Sequence, residues 1–235
     1  MTRSPRITSY WRRAGLCSAL IVLSGMAGCT SLLDSELPVP TQYIIAPLPP
    51  APNATSSAAS QVDISIGRPD VAPGLDTARI AVLRGRELDY YRGVQWGGNT
   101  LEVVQAFLVA SLQDQQLFRS VTSEQARVAG AYMLDSEVRD FQAEYDDGNS
   151  APSVRVTIIG RLIRIVDRTL VATIPGTASR RAETNRMSAV AAAFEAAAHE
   201  VALKLAHETA AAIASDRERA LAVPATPDSA PQSAR

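Results

Sequence analysis

The run Ala131–Tyr145, AYMLDSEVRDFQAEY, leaves the chain little choice but to form a sheet. Apolar residues recur at every second position through Tyr132, Leu134 and Val138, the period that puts alternate side chains on one face of a strand. The phase shifts at Phe141, which a one-residue bulge accommodates. Val154, Val156, Ile158 and Leu162 mark the next strand, with Asp147-Gly148 as the turn signal between the two. Asp167-Arg168 then separates that strand from another over Leu170 to Ile174.

Two helices and several shorter strands accompany this hairpin. Ser188 to Ala214 is alanine-dense, with Val190, Phe194, Val201 and Leu205 on one stripe. Asn99 can cap a second helix, since Glu102 stands three residues on and Leu101, Val104, Leu108 and Leu112 recur at helical spacing. Upstream, Val62–Ile66 alternates as a half-buried strand does. Arg79–Leu83 and Glu87–Tyr91 form a hairpin around Arg84-Gly85-Arg86. Strands adjacent in sequence, with two separate helices, predict an α+β fold: an antiparallel sheet with two main helices packed on one side. Hydrophobic residues are 46% of the chain but aromatics only 5%, so alanine supplies much of the apolar content and helix packing is expected to be close.

The ends read differently. Arg3, Arg6, Arg12 and Arg13 precede an apolar run from Ala14 to Ala27. As a helix this run spans about 21 Å, short of the roughly 30 Å hydrocarbon core of a bilayer, so it reads as a secretory signal rather than a membrane span. Ala27 and Gly28 before Cys29 resemble the lipobox of bacterial lipoproteins, which makes Cys29 the expected lipid-attachment residue and residues 1–28 the signal. An ordinary cleaved signal with an incidental cysteine is the alternative. Residues 29–60, rich in Pro, Ser and Ala, read as a lipid-anchored tether with one short strand near 42–46. The folded domain is expected over 61–214 and a disordered tail over 215–235.

Charge and chemistry exclude several functions. The net charge is −1, and without the four leader arginines 19 basic residues face 24 acidic ones. A mildly acidic body without a basic stripe argues against nucleic acid. Cys17 and Cys29 are the only cysteines, so with the signal removed no internal disulfide or cysteine metal site can form. His199 and His207, the only histidines, lie more than two helical turns apart, too far to ligate one metal in the HExxH manner. The acids Asp135, Glu137, Asp140, Glu144, Asp146 and Asp147 read as solvated strand edges and a turn. There is no GxSxG elbow and no phosphate-cradling glycine loop. The expectation is a non-enzyme with no cofactor and no metal.

Four stretches in order carry a family resemblance: PGLDTARIAVLRGRELDYYRGVQW (Pro73–Trp96), AYMLD (131–135), VRDFQAEY (138–145) and AVAAAFEAA (189–197). Together with the lipobox they are similar to the ABC-type transport auxiliary lipoprotein family, over roughly Gln42 to Leu205. The resemblance implies a periplasmic partner of an MCE-domain protein and its ABC transporter permease and ATPase, in a system that moves lipid between membranes. Phospholipid is then an expected companion, and a homo-oligomer matched to the MCE ring is a further expectation. Thr30, where an aspartate favours inner-membrane retention in Gram-negative lipoproteins, implies the periplasmic face of the outer membrane. Tyr90, Tyr91 and Trp96 are the candidates for partner contact, with a role as core or hinge aromatics as the alternative. A structural lipoprotein assisting another envelope complex is the second reading of the same features.

Overall fold

The computed structural model describes residues 39–51, 61–126, 130–146 and 151–222, so Cys29, the signal, much of the tether, the Asp147-Gly148 turn and the segment after Ala222 lie outside the described residues. The described strands are β1 (Thr41–Tyr43), β2 (Asp63–Ile66), β3 (Asp70–Val71), β4 (Arg79–Arg84), β5 (Glu87–Trp96), β6 (Ser120–Ser123), β7 (Tyr132–Tyr145), β8 (Ser153–Arg164) and β9 (Thr169–Arg181). The described helices are α1 (Thr100–Asp114) and α2 (Met187–Ala222).

The long alternating run becomes β7, and the sheet is organised around it. Along one edge β7 pairs with three short strands in succession, all parallel: β2 at Tyr132–Leu134, β3 at Glu137–Val138 and β4 at Gln142–Tyr145. Along the other edge it pairs antiparallel with β8, and β8 with β9. The register slips between Val138 and Asp140, the bulge that the phase shift at Phe141 anticipates. As a result Leu134 and Val138 before the slip and Phe141 after it are all buried. β5 follows β4 through a tight turn, β1 lies parallel to the far end of β5, and β6 lies parallel to β2.

The α+β class and the two helices hold. The sheet is mixed rather than antiparallel throughout, because every short strand on the β7 edge runs parallel to it. Sequence neighbours β4–β5, β7–β8 and β8–β9 do pair antiparallel, as tight connections require. The parallel pairs join strands far apart in the chain, which local periodicity does not reveal. β5 and β9 extend beyond the expected limits to Trp96 and Arg181, and α2 continues to Ala222, past the expected end at Ala214.

Helix α1 begins as its sequence requires. Asn99 is extended at the N-cap, and Glu102 Oε2 accepts the Asn99 N–H at 3.2 Å, satisfying one of the donors a helix start leaves free. Its buried stripe is Leu101, Val104, Phe107, Leu108 and Leu112. The long helix α2 buries a face made largely of alanine, including Ala193, Ala197, Ala198, Ala202 and Ala206, interleaved with Val190, Phe194, Val201 and Leu205.

A face of small residues brings the helix axis close to the sheet, and the sheet has room for it. A Cβ on Gly176 would lie 2.8 Å from Val201 Cγ1, and one on Gly160 would lie 3.0 Å from Leu205 Cδ2 and 3.1 Å from Leu134 Cδ1. The two glycines stand on neighbouring strands, β9 and β8, beneath successive turns of α2. Beyond them three rings close the core. Trp96 meets Phe194 edge-on at 5.0 Å and Phe141 at 5.6 Å, and Phe141 meets Phe194 at 5.3 Å.

Two predictions follow from this packing. Gly176→Ala should cost about 1–3 kcal/mol in chemical unfolding, the range for overpacking a filled site, and Val201→Ala in the same chain should recover part of it. No recovery would mean that the contact is not the source of the loss. The second concerns Asp63, whose carboxylate is bound by the Arg119 guanidinium and the Ser120 hydroxyl and so is held at about 2 instead of 3.8. A carboxylate depressed on folding contributes stability that is complete above the ordinary value and disappears as pH falls through the folded one. The stability difference between the native chain and Asp63→Asn should therefore be constant above pH 3.8, narrow between 3.8 and about 2, and be small throughout because the pair is solvent-accessible.

Candidate functional site

The hairpin of β4 and β5 carries the tyrosines singled out from the sequence. Along β5 only Val94–Trp96 gain a second strand partner, β1, so among the described residues Glu87–Gly93 form an open sheet edge. Leu88 is 40% exposed on this hairpin, a large apolar side chain between Glu87 and Asp89.

Tyr90 and Tyr91 point to opposite faces, as neighbours in a strand do. The Tyr90 hydroxyl donates to the Gly74 carbonyl at 2.7 Å, and the Arg79 guanidinium lies 3.6 Å from the centre of its ring, a cation–π contact. Tyr91 turns toward β7, where its hydroxyl stands 3.1 Å from that of Tyr145. Tyr145 donates to Asn185 Oδ1 at 2.6 Å, so in this chain Tyr91 is the donor to Tyr145. Burial, reinforced by the Tyr145 hydroxyl, pushes the Tyr91 phenol well above its ordinary range and keeps it neutral. Both rings are thus half-buried and fixed, with an edge or face left to solvent. A hollow of about 370 Å³ opens beside them, lined by Pro40, Arg79, Tyr90, Arg92 and Gly93.

Trp96 has a different place. It is 1% exposed, enclosed by Phe141 and Phe194, and its indole N–H has no acceptor among the described residues. A side chain so enclosed offers no surface to a partner. The contact expected for Trp96 is replaced by a core role, because Phe141 on β7 and Phe194 on α2 enclose its ring. Only Tyr90 and Tyr91 remain as candidates.

Reading the sequence alone did not anticipate how residues 44–51 are held. After β1 this segment crosses both helices as a strap. The Ala46 N–H donates to Glu195 Oε2 at 3.0 Å, and the His199 ring, stacked on Phe107, donates through Nε2 to the Ala46 carbonyl at 2.9 Å. The Leu48 N–H donates to Ser111 Oγ at 3.0 Å, and Gln115 donates to the Pro49 carbonyl at 3.0 Å. The expected helix-surface histidine is therefore a clamp on the strap, while His207 faces solvent. Two signals could have found it: Glu195 and His199 are one turn apart on α2, and Ser111 and Gln115, the residue capping α1, make the same interval.

The acids of β7 are largely engaged. Glu137 pairs with Arg139 and Arg161, Glu144 accepts from Nε and Nη2 of Arg155 at 2.8 and 2.9 Å, and just past the strand Asp146 meets Arg181 at 3.8 Å. These pairs tie β7 to its neighbours across a solvated face. Among the described residues no group of three His, Cys, Asp or Glu side chains is arranged to hold a metal, and no helix is long and apolar enough to cross a membrane.

Comparison with known proteins agrees with this architecture. The model of a family described as "ABC-type transport auxiliary lipoprotein component" matches residues 43–206. No curated protein matches in sequence. Among solved structures, a Xanthomonas campestris protein of the DUF330 family superposes with a TM-score of 0.66 at 24% identity, over 76% of this chain and 99% of its own. A second, described only as an uncharacterized protein, gives 0.53 at 13% identity, again over 76% and 99%. A PelC dodecamer from Paraburkholderia phytofirmans gives 0.39 at 14% identity over 65% and 92%, too loose a match for its assembly to bear on this chain.

The Tyr91–Tyr145–Asn185 chain generates a stability test. Tyr145→Phe removes the hydroxyl that accepts from Tyr91 and donates to Asn185, and should cost about 1–3 kcal/mol in denaturant unfolding because the Tyr91 donor is left half-buried and unmet. A change below a few tenths of a kcal/mol would mean that water replaces the contact.

Proposed function

Because the chain belongs to the ABC-type transport auxiliary lipoprotein family, we propose that it is a non-catalytic component of an MCE/ABC-type intermembrane lipid transport system. Cys29 carries the lipid that anchors it, at the periplasmic face of the outer membrane. The domain then acts as an adaptor, or hands lipid on, for an MCE-domain protein and its ABC permease and ATPase. The observation that carries this reading is the family match over residues 43–206, which spans the strap, the tyrosine hairpin, the sheet from β2 to β9 and α2 as far as Ala206.

The geometry supports an adaptor in two ways. The strap fixes the start of the folded body across both helices, so tension on a tether from Cys29 is borne by four side chains and by β1 rather than by a loose end. The open edge of β5, with Leu88 exposed and Tyr90 and Tyr91 held rigid, has the makings of a docking surface: free backbone donors and acceptors beside preorganised aromatic rings. Tyr90 and Tyr91 are proposed as partner contacts on this basis. With β1 starting at Thr41, the tether from Cys29 is only about ten residues and would reach roughly 35 Å if fully extended, which keeps an anchored domain near the membrane while it meets a partner.

The test uses the full lipoprotein in its native envelope, with a photoreactive residue in place of Leu88. Crosslinking should recover an MCE-domain protein and ABC components, and Tyr90→Ala should reduce the yield severalfold. Recovery of barrel- or wall-assembly proteins instead would favour a structural lipoprotein of another complex. Labelled fatty acid should enter the native chain and not Cys29→Ser; equal labelling of both would remove the anchor from the account.

A further inference from the structure

The turn between β8 and β9 carries an apolar tip in an exposed place. Val166 is 86% exposed at its apex, Leu170 56% and Ile165 42%. Beneath the tip, on the sheet face turned away from α2, lies a cleft of about 550 Å³. Met133, Ile163 and Ile165 give it apolar walls, with Ser65 and Gly130 alongside. The face follows from the alternation of the strands: Leu134 and Leu162 are buried under the helices, so their neighbours Met133 and Ile163 point the other way. A volume of this size is within the usual range for small-molecule sites.

The charges around the cleft are unequally committed. Glu124 lines it, but its Oε2 accepts the Arg68 N–H at 3.3 Å. Asp167, in the turn itself, accepts the Thr169 N–H at 3.1 Å and faces Arg164 at 3.3 Å. Arg168 also lines the cleft, and among the described residues no acceptor meets its guanidinium. Its backbone is in the left-handed region, φ 56°, where glycine or asparagine is the comfortable choice. An arginine with left-handed backbone, and no partner among the described residues, is thus held at the rim of an apolar cleft beside three exposed aliphatic side chains. Strain kept at such a position points from geometry toward use.

We infer that this cleft holds one acyl chain of an anionic phospholipid, with Met133, Ile163 and Ile165 against the chain and the Arg168 guanidinium on the phosphate. An amphiphile satisfies both halves of the site at once, whereas an apolar peptide segment leaves Arg168 unmet and a free anion leaves the aliphatic walls in water. The inference rests on the transport reading given above and names its ligand class and its place. The cleft lies at the Tyr132 end of β7, while the tyrosine hairpin pairs with the Tyr145 end, so lipid and partner would engage opposite ends of one strand.

The full-length chain, extracted from its own envelope, is mixed with phosphatidylethanolamine vesicles containing a phosphatidylglycerol with a diazirine near the acyl terminus. After illumination and digestion, the label should concentrate on peptides bearing Met133 and Ile163–Ile165. Arg168→Gly suits the left-handed turn, so it should keep or raise the melting temperature while lowering the label about tenfold, the scale of a lost charge-assisted hydrogen bond. Met133→Gln should lower the label without affecting crosslinking from Leu88. Labelling that ignores Arg168→Gly overturns the inference, as does label on the strap near Ile44, label spread over the exposed surface as in simple adsorption to the bilayer, or no label. Loss of the cleft label while an MCE-domain protein still co-purifies overturns the cleft alone; a cleft label without any transport partner overturns the partner reading alone.

Discussion

Helix α2 can lie against β8 and β9 only because Gly160 and Gly176 present no side chain where Leu205 and Val201 come down. The helix face is mostly alanine, so its contribution comes from close approach over many turns rather than from a few large side chains. Close approach is unforgiving: interiors packed this tightly register the addition of a single methyl group. The cluster of Trp96, Phe141 and Phe194 depends on that approach, since Phe194 is carried on α2 and reaches the other two rings only when the helix is seated. Through Glu195 and His199, one turn further on, the same helix also holds the strap. One interface therefore sets the core and the point where the folded body begins.

The consequence for function is an asymmetry of faces and ends. The helices take one face of the sheet, and cross-strand ion pairs of Glu137 with Arg161 and of Glu144 with Arg155 cover part of the other. Two of the places left open lie at the two ends of β7. At one end is the tyrosine hairpin, with the unpaired edge of β5. At the other is the apolar turn tip with its cleft. Neither place carries a nucleophile paired with a base. Both offer apolar surface beside polar side chains held in place.

The elements that local pattern specifies were legible in the sequence. The bulge at Val138–Asp140 showed as a change of phase before Phe141, the start of α1 showed in Asn99 and Glu102, and the β4–β5 turn showed in Arg84-Gly85-Arg86. The parallel pairing along β7 was not legible, because its partners come from distant segments and β3, at Asp70–Val71, is too short to show a period. Trp96 illustrates the same limit at the candidate site. A tryptophan ending an aromatic-rich strand suits a core or an interface equally well, and what decides is Phe194, almost a hundred positions later in the chain. Tyr90 and Tyr91 could be marked as candidates from the sequence, but their hydroxyl partners, Gly74 and Tyr145, follow from the folded register alone.

Hydrogen exchange of the full-length chain tests the central claim that one tightly packed interface governs the body and leaves both ends of β7 open. The account predicts the slowest amides in β7, β8 and the stretch of α2 from Val190 to Ile213, with Glu87–Gly93 and the turn at Ile165–Arg168 exchanging orders of magnitude faster. Slow exchange in the hairpin edge or the turn tip, or fast exchange along the alanine face of α2, would contradict it.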